Sequence, residues 1–86
     1  MDIPIGTVTH YYEHLMVAVL SFTGKLNVGD TIHILGHTTD FTQIVESMEI
    51  EHKKIESVNP GDESALKMAQ HVREKDRVYK VVEEKT

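Results

Sequence analysis

Hydrophobic and polar positions alternate along much of the chain, in short segments separated by turns that contain glycine. The clearest segment is residues 31–35, where Ile32 and Ile34 share one face of a strand. It follows the turn Val28-Gly29-Asp30 and ends at Gly36, and glycine adopts turn conformations that other residues avoid. A short strand of this kind needs neighbouring strands to pair with. The pattern therefore predicts an all-β protein, built as a small antiparallel β-barrel.

Further strands are indicated by β-branched and aromatic residues. They are residues 5–12, 16–22, 41–52, 55–58 and 77–82. Gly6 within the first strand predicts a close approach by another backbone. In the long strand 41–52, the spacing of Val45 and Met48 breaks the period of two and predicts a β-bulge near Glu46 and Ser47.

Two segments admit a helix as well as a strand. Apolar residues between 11 and 20 fit a helical stripe, but the valines and the lack of a capping residue favour a hairpin that turns at Glu13 and His14. Residues 63–75 contain strong helix formers, with Asp62 as a candidate cap. The alternation of Ser64, Leu66 and Met68 permits a strand instead, and the choice stays open on the residues alone.

The segment 16–22 is apolar on both faces if it is a strand. One face would fill the barrel, and the other needs a cover such as a loop, a second copy or a partner. This predicts a protein-interaction surface and homo-oligomer formation. The candidate residues are Met16, Ala18, Leu20 and Phe22.

With 86 residues, the chain has the size of one small domain. We assign the domain to residues 1–86, with a core over 5–82 and a frayed tail at 83–86. The chain has no cysteine, which excludes a disulfide framework and a thiolate zinc site. Its longest apolar run, residues 15–20, is too short to span a bilayer. We therefore expect a cytoplasmic protein without a membrane partner.

The net charge of −5 is unevenly distributed. Residues 1–66 contain three lysines and ten carboxylates, whereas residues 67–86 contain six basic and four acidic side chains. A local basic patch is the feature that would bind a polyanion such as RNA. Its candidate residues are Lys53, Lys54, Arg73, Lys75 and Arg77. The alternative is that these are solvated charges, which Glu74 and Asp76 offset.

The sequence predicts neither a metal site nor a catalytic centre. His33 and His37 are four residues apart, but on a strand that leads into a loop this spacing does not align two imidazoles. His10 and His14 flank a turn without a complete set of ligands. The serines lie outside any nucleophile elbow. We therefore expect no cofactor and no enzymatic activity.

The ordered series Ile5-Gly6-Thr7-Val8, Gly24-Lys25-Leu26-Asn27-Val28-Gly29-Asp30, Val45-Glu46-Ser47-Met48, Pro60-Gly61-Asp62 and Val78-Tyr79 carries a family resemblance. It resembles the second domain of translational GTPases such as elongation factor Tu, and small free-standing translation elongation factor-like proteins. The resemblance covers about residues 5–82. It implies a closed barrel of about six antiparallel strands and favours a strand at residues 63–68.

The resemblance also implies a function. It indicates a non-catalytic binding module that docks to RNA or a ribonucleoprotein in translation. No GTP binding is expected, because the chain has no P-loop motif. Barrels of similar pattern also form the carboxy-terminal domain of collagenase-like peptidases. The alternative is therefore a protein-interaction accessory, or a self-associating barrel, that serves a separate enzyme.

Overall fold

The computed structural model describes residues 2–82, and this range contains ten strands and no helix. The strands are β1 (Asp2–Tyr12), β2 (Val17–Phe22), β3 (Leu26–Asn27), β4 (Thr31–Leu35), β5 (Asp40–Ile44), β6 (Met48–Ile50), β7 (Lys53–Ile55), β8 (Ser57–Val58), β9 (Glu63–Lys67) and β10 (Arg77–Val81). The predicted all-β class is confirmed. Within the same range, no helix is long and apolar enough to cross a membrane. The predicted frayed tail, 83–86, lies outside the described residues.

Eight strands form one antiparallel sheet in the order β5-β4-β10-β1-β2-β9-β6-β7, while β3 pairs with β8 in a separate small sheet. Within residues 2–82, no strand ladder joins the two edge strands, β5 and β7. The antiparallel arrangement is therefore confirmed. The predicted closure into a barrel of about six strands is not.

The core face of β2 differs from the prediction. Ala18, Leu20 and Phe22 are buried at 0–1% exposure, so these three candidate interaction residues are unavailable to a partner. The reason is the register of β2 with β9, which places Leu20 opposite Ser64 and Ala18 opposite Leu66, both of them buried. Directly opposite residues point to the same side of a sheet. The outer face of β2 therefore consists of the other set of alternate residues.

Residues 63–67 form a strand although their intrinsic preference is helical. Leu66 and Met68 are buried while Glu63 and Lys67 are exposed, which is the alternation of a half-buried strand. β9 lies between β2 and β6 and pairs with both. Burial and pairing here outweigh a propensity difference that is worth only about 0.7 kcal/mol per residue.

The close backbone approach predicted at Gly6 is confirmed. A Cβ atom at this position would lie 2.6 Å from the backbone carbonyl oxygen of Ser21 on the neighbouring strand. β1 also changes register between Pro4 and Gly6 and again between Val8 and His10. Glycine is required at the first of these irregularities because no side chain fits there.

The predicted long strand 41–52 is divided into β5 and β6 by an irregular segment, 45–47. Val45 and Met48 are both buried, as the bulge hypothesis required, but the strand breaks instead of bulging. A second tight turn follows β6, at Glu51 and His52, with φ values of 51° and 65°. Positive φ at two consecutive turn residues matches the hairpin geometry that favours Asn-Gly. Glutamate and histidine are not typical of such a turn, so the sequence did not predict it.

Three turns repeat the same hydrogen-bonded arrangement before a strand of the main sheet. In each turn, the fourth residue is an aspartate whose Oδ2 accepts a bond of 2.8–2.9 Å from the backbone N–H of the first residue. The backbone N–H of the aspartate also donates to the carbonyl oxygen of the same first residue. The turns are residues 27–30, 59–62 and 73–76. The third residue has positive φ in every case, and it is glycine in the first two turns and Lys75 in the last.

Candidate docking surface

The tip of the hairpin between β1 and β2 presents two apolar side chains to solvent. Leu15 is 67% exposed and Met16 is 40% exposed. The backbone at the tip is fixed: the Leu15 N–H donates to the Tyr12 carbonyl at 3.2 Å, and the Met16 carbonyl accepts from Met68 N–H at 2.7 Å. Met16 has a φ of 53°, in the left-handed region that non-glycine residues rarely adopt. The exposed leucine is thus held on an ordered, strained turn.

Beside this tip lies the outer face of β2 and β9. Val17 and Val19 alternate with the core residues of β2 and are partly exposed. Val19 is paired with Ala65 of β9, and Ala65 is paired in turn with Glu49 of β6. Directly paired residues point to the same side of the sheet, so an apolar surface ends at a carboxylate.

These elements border one groove of about 470 Å³. Its lining residues are Tyr12, Leu15, Val17, Val19, Ala65, Glu49, Glu51 and His52. The floor is apolar, and the side formed by β6 and its following turn carries Glu49 and Glu51, with Lys54 of β7 paired directly opposite Glu49. Among residues 2–82, neither Glu49 nor Glu51 has an ion pair within 4.0 Å. Such a groove is suited to an apolar group.

The predicted basic patch is not brought together. Arg73, Lys75 and Arg77 border a cavity of about 440 Å³ at the start of β10, whereas Lys53 and Lys54 lie on β7. Four strands separate β10 from β7 in the sheet. The two lysines stand on an edge strand, where charged side chains discourage pairing with other chains.

A second cluster of ionisable groups surrounds His33. Its Nδ1 lies 2.7 Å from Asp2 Oδ2, and its Nε2 lies 2.5 Å from Asp40 Oδ1. The hydrogen bond with Asp2, and then that with Asp40, raises the pKa of His33 above 6.5. Both ring nitrogens are engaged, so the cluster links β1, β4 and β5 and leaves no nitrogen to act as a base on a substrate.

The remaining histidines and serines do not assemble a reaction centre in the described part of the chain. His10 stacks edge-on against Tyr12 and lies 3.4 Å from Glu74, and His71 stacks against Tyr11. Ser64 is buried, and its hydroxyl donates to the Glu49 carbonyl at 3.1 Å. Within residues 2–82, no group of three or more His, Asp or Glu side chains is arranged so that it could hold a metal ion.

Comparison with known proteins connects the chain to peptidases. No family model matches it. The chain is 41% identical over 78 residues to an uncharacterized protease, MJ0090, of Methanocaldococcus jannaschii. This match covers 90% of the chain but only 19% of the protease, so the chain spans about a fifth of its relative.

Solved structures show a similar fold. The fold is similar to the crystal structure of the C-terminal domain of a putative U32 peptidase from Geobacillus thermoleovorans, with a TM-score of 0.87, 18% identity, and coverage of 94% of this chain and 93% of that domain. The selenomethionine variant of the same domain matches with a TM-score of 0.83 and 18% identity, over 87% of this chain and 95% of that one.

These findings correct the family resemblance drawn from the sequence. The relatives are peptidase-family proteins and not translation elongation factors, so the translation-factor assignment is wrong. The expectations of a role in protein biosynthesis and of RNA binding fall with it. The chain is instead similar in sequence to part of a protease, and in fold to a C-terminal domain of a putative U32 peptidase.

Proposed function

We propose that the chain acts as a non-catalytic accessory module of a peptidase, which was the alternative function indicated by the sequence. One observation carries the proposal. At 41% identity, the similarity spans 90% of this chain and only 19% of the related protease. A separately folding unit that matches a small part of an enzyme is expected to position, dock or regulate the larger part.

The contacts of the candidate nucleophiles and bases support the non-catalytic assignment. The chain has no cysteine. The Ser64 hydroxyl donates to a backbone carbonyl, and both nitrogens of His33 are held by carboxylates. A nucleophile needs a base within hydrogen-bond reach, and neither of these residues offers that pairing.

A chimera tests the proposal. The segment of MJ0090 that matches this chain is replaced by the chain, and peptide hydrolysis is measured with a labelled casein substrate. The comparison proteins are full-length MJ0090, MJ0090 without the segment, and the isolated chain. We expect the chimera to retain activity that the truncated protease loses, and the isolated chain to show none. Hydrolysis by the isolated chain, or full activity and stability of the truncated protease, would contradict the proposal.

A further inference from the structure

We infer that the side-chain amide of Gln43 is a latch that holds β5 against the end of β9, and that the folded chain opens locally where this latch closes it. The seam is the junction of residues 43–46 with residues 67–69. The inference concerns a conformational device within the chain itself, and it does not depend on the proposed function.

Gln43 uses both polar atoms of its amide to bind backbone groups across the seam. Its Nε2 donates to the carbonyl oxygen of Lys67 at 2.9 Å, and its Oε1 accepts from the N–H of Ala69 at 2.7 Å. One partner is an acceptor and the other is a donor, so together they fix the orientation of the amide. Between them, the Met68 N–H donates to the Met16 carbonyl beside β2. Residues 67–69 are therefore held by β2 on one side and by Gln43 on the other.

The strand register shows what the latch replaces. β6 pairs with β9 in an antiparallel ladder that reaches Met48 and Leu66. Continued by the same register, it would place residue 47 opposite residue 67 and residue 45 opposite residue 69. Residues 45–47 are irregular, however, and the backbone of Val45 bonds to the turn before β4. Within residues 2–82, no ladder pairs β5 with β9. A side chain thus supplies the contact that the backbone ladder no longer makes.

The packing around the latch favours local opening. A cavity of about 300 Å³ lies at the seam, bordered by Gln43 and Ile44 on one side and by residues 67–69 on the other. Ile44 is 59% exposed, whereas Met68 is 2% exposed and belongs to the core. Parts of a fold that are held by exposed hydrogen bonds and few buried contacts open first. Opening of the seam would uncover the sulfur of Met68.

The test measures oxidation of methionine by dilute hydrogen peroxide in the isolated chain, with sulfoxide located by peptide mass spectrometry. Oxidation depends on access of the reagent to the sulfur. Met48 is the internal reference, because it is 0% exposed but lies on β6, which a backbone ladder joins to β9. In the parent chain, we expect Met68 to be oxidised faster than Met48.

Two variants and one matched control address the latch directly. Gln43→Leu removes both hydrogen bonds, and we expect it to speed oxidation of Met68 by about tenfold while Met48 keeps its parent rate. Gln43→Glu keeps an acceptor for the Ala69 N–H but loses the donor to Lys67, so a smaller increase is expected. Thr42→Ala is the control, because Thr42 is exposed on the same strand. It should leave both rates unchanged.

The two methionines distinguish local from global opening. Equal oxidation rates of Met68 and Met48 in the parent would overturn the inference. So would a Gln43→Leu variant in which Met68 keeps its parent rate, or in which both methionines accelerate together as they would on global unfolding. None of these outcomes bears on the accessory function, which the chimera tests separately.

Discussion

Gly6→Ala is expected to destabilise the chain, because β1 approaches β2 too closely for a side chain. The added Cβ would lie 2.6 Å from the Ser21 carbonyl oxygen, whereas carbon–oxygen contacts normally exceed about 3.3 Å. Ser21 is paired on one side with Thr7 and on the other with Glu63, so its backbone is held by both neighbouring strands. Relief of the contact therefore requires a shift in the sheet.

The magnitude follows from two opposing effects. Overpacking of this kind costs about 1–3 kcal/mol, and replacing glycine by alanine recovers about 0.4–1 kcal/mol from the unfolded chain. The net loss is about 1–2 kcal/mol, which lowers the melting temperature of a domain of this size by roughly 5–15 °C.

Thermal and urea unfolding of Gly6→Ala measure this loss. Thr23→Ala is the control, because Thr23 is exposed and its backbone N–H bond to the Ile5 carbonyl does not depend on its side chain. The control is expected to stay within about 0.5 kcal/mol of the parent. A Gly6→Ala variant that melts at or above the parent temperature would refute the close approach.

Three further predictions concern ionisation and strained turns. The pKa of His33 is raised in the folded state, so its stabilising contribution is complete below pH 6.5 and is lost as the pH rises through the folded value. His33→Asn should therefore flatten the stability profile above pH 6.5 in urea titrations. Lys75→Gly should raise stability by about 0.5–1 kcal/mol, because glycine adopts the φ of 74° without the cost of a side chain. Glu51→Asn with His52→Gly should add about 1–2 kcal/mol in chemical denaturation, because this pair suits the observed turn.

Each of these predictions has a decisive contrary result. If the stability of His33→Asn still falls above pH 6.5 as steeply as that of the parent, the bonds of His33 to Asp2 and Asp40 are not the source of the pH dependence. A less stable Lys75→Gly variant would mean that the lysine side chain contributes more than its backbone strain costs. A turn variant without gain would show that the positive φ values of Glu51 and His52 cost the folded chain no stability.

The alternation of side chains predicted the strands well, since burial in a sheet has a period of two residues. The pattern holds for Ile32 and Ile34, which are buried on β4. It also holds for Leu66, buried within β9, and for Met68, buried just after it. The same pattern did not decide which face of β2 is buried, because both faces are apolar. That choice depends on the register with β9, which no local signal encodes.

The resemblance to translation factors failed for a related reason. Its motif Gly24-Lys25-Leu26-Asn27-Val28-Gly29-Asp30 ends in an aspartate-closed turn that occurs three times in this fold, with the same bond from the first residue of the turn to the aspartate carboxylate. The motif therefore indicates a turn that leads into a strand. A turn geometry can be shared by proteins with unrelated functions, so the motif carried information about the fold and none about the ligand.

The position of the lysines narrows how a partner can approach the chain. A protein segment can bind a sheet by adding a strand to its edge or by packing on its face. Lys53 and Lys54 occupy the edge strand β7, which is only three residues long, and both features oppose strand addition. The outer face of β2 and β9, with Leu15 beside it, offers apolar surface, and Lys54 stands on the same side only at its margin, opposite Glu49. Docking is therefore expected to depend on side chains of the face and the hairpin tip, and not on backbone pairing at the β7 edge.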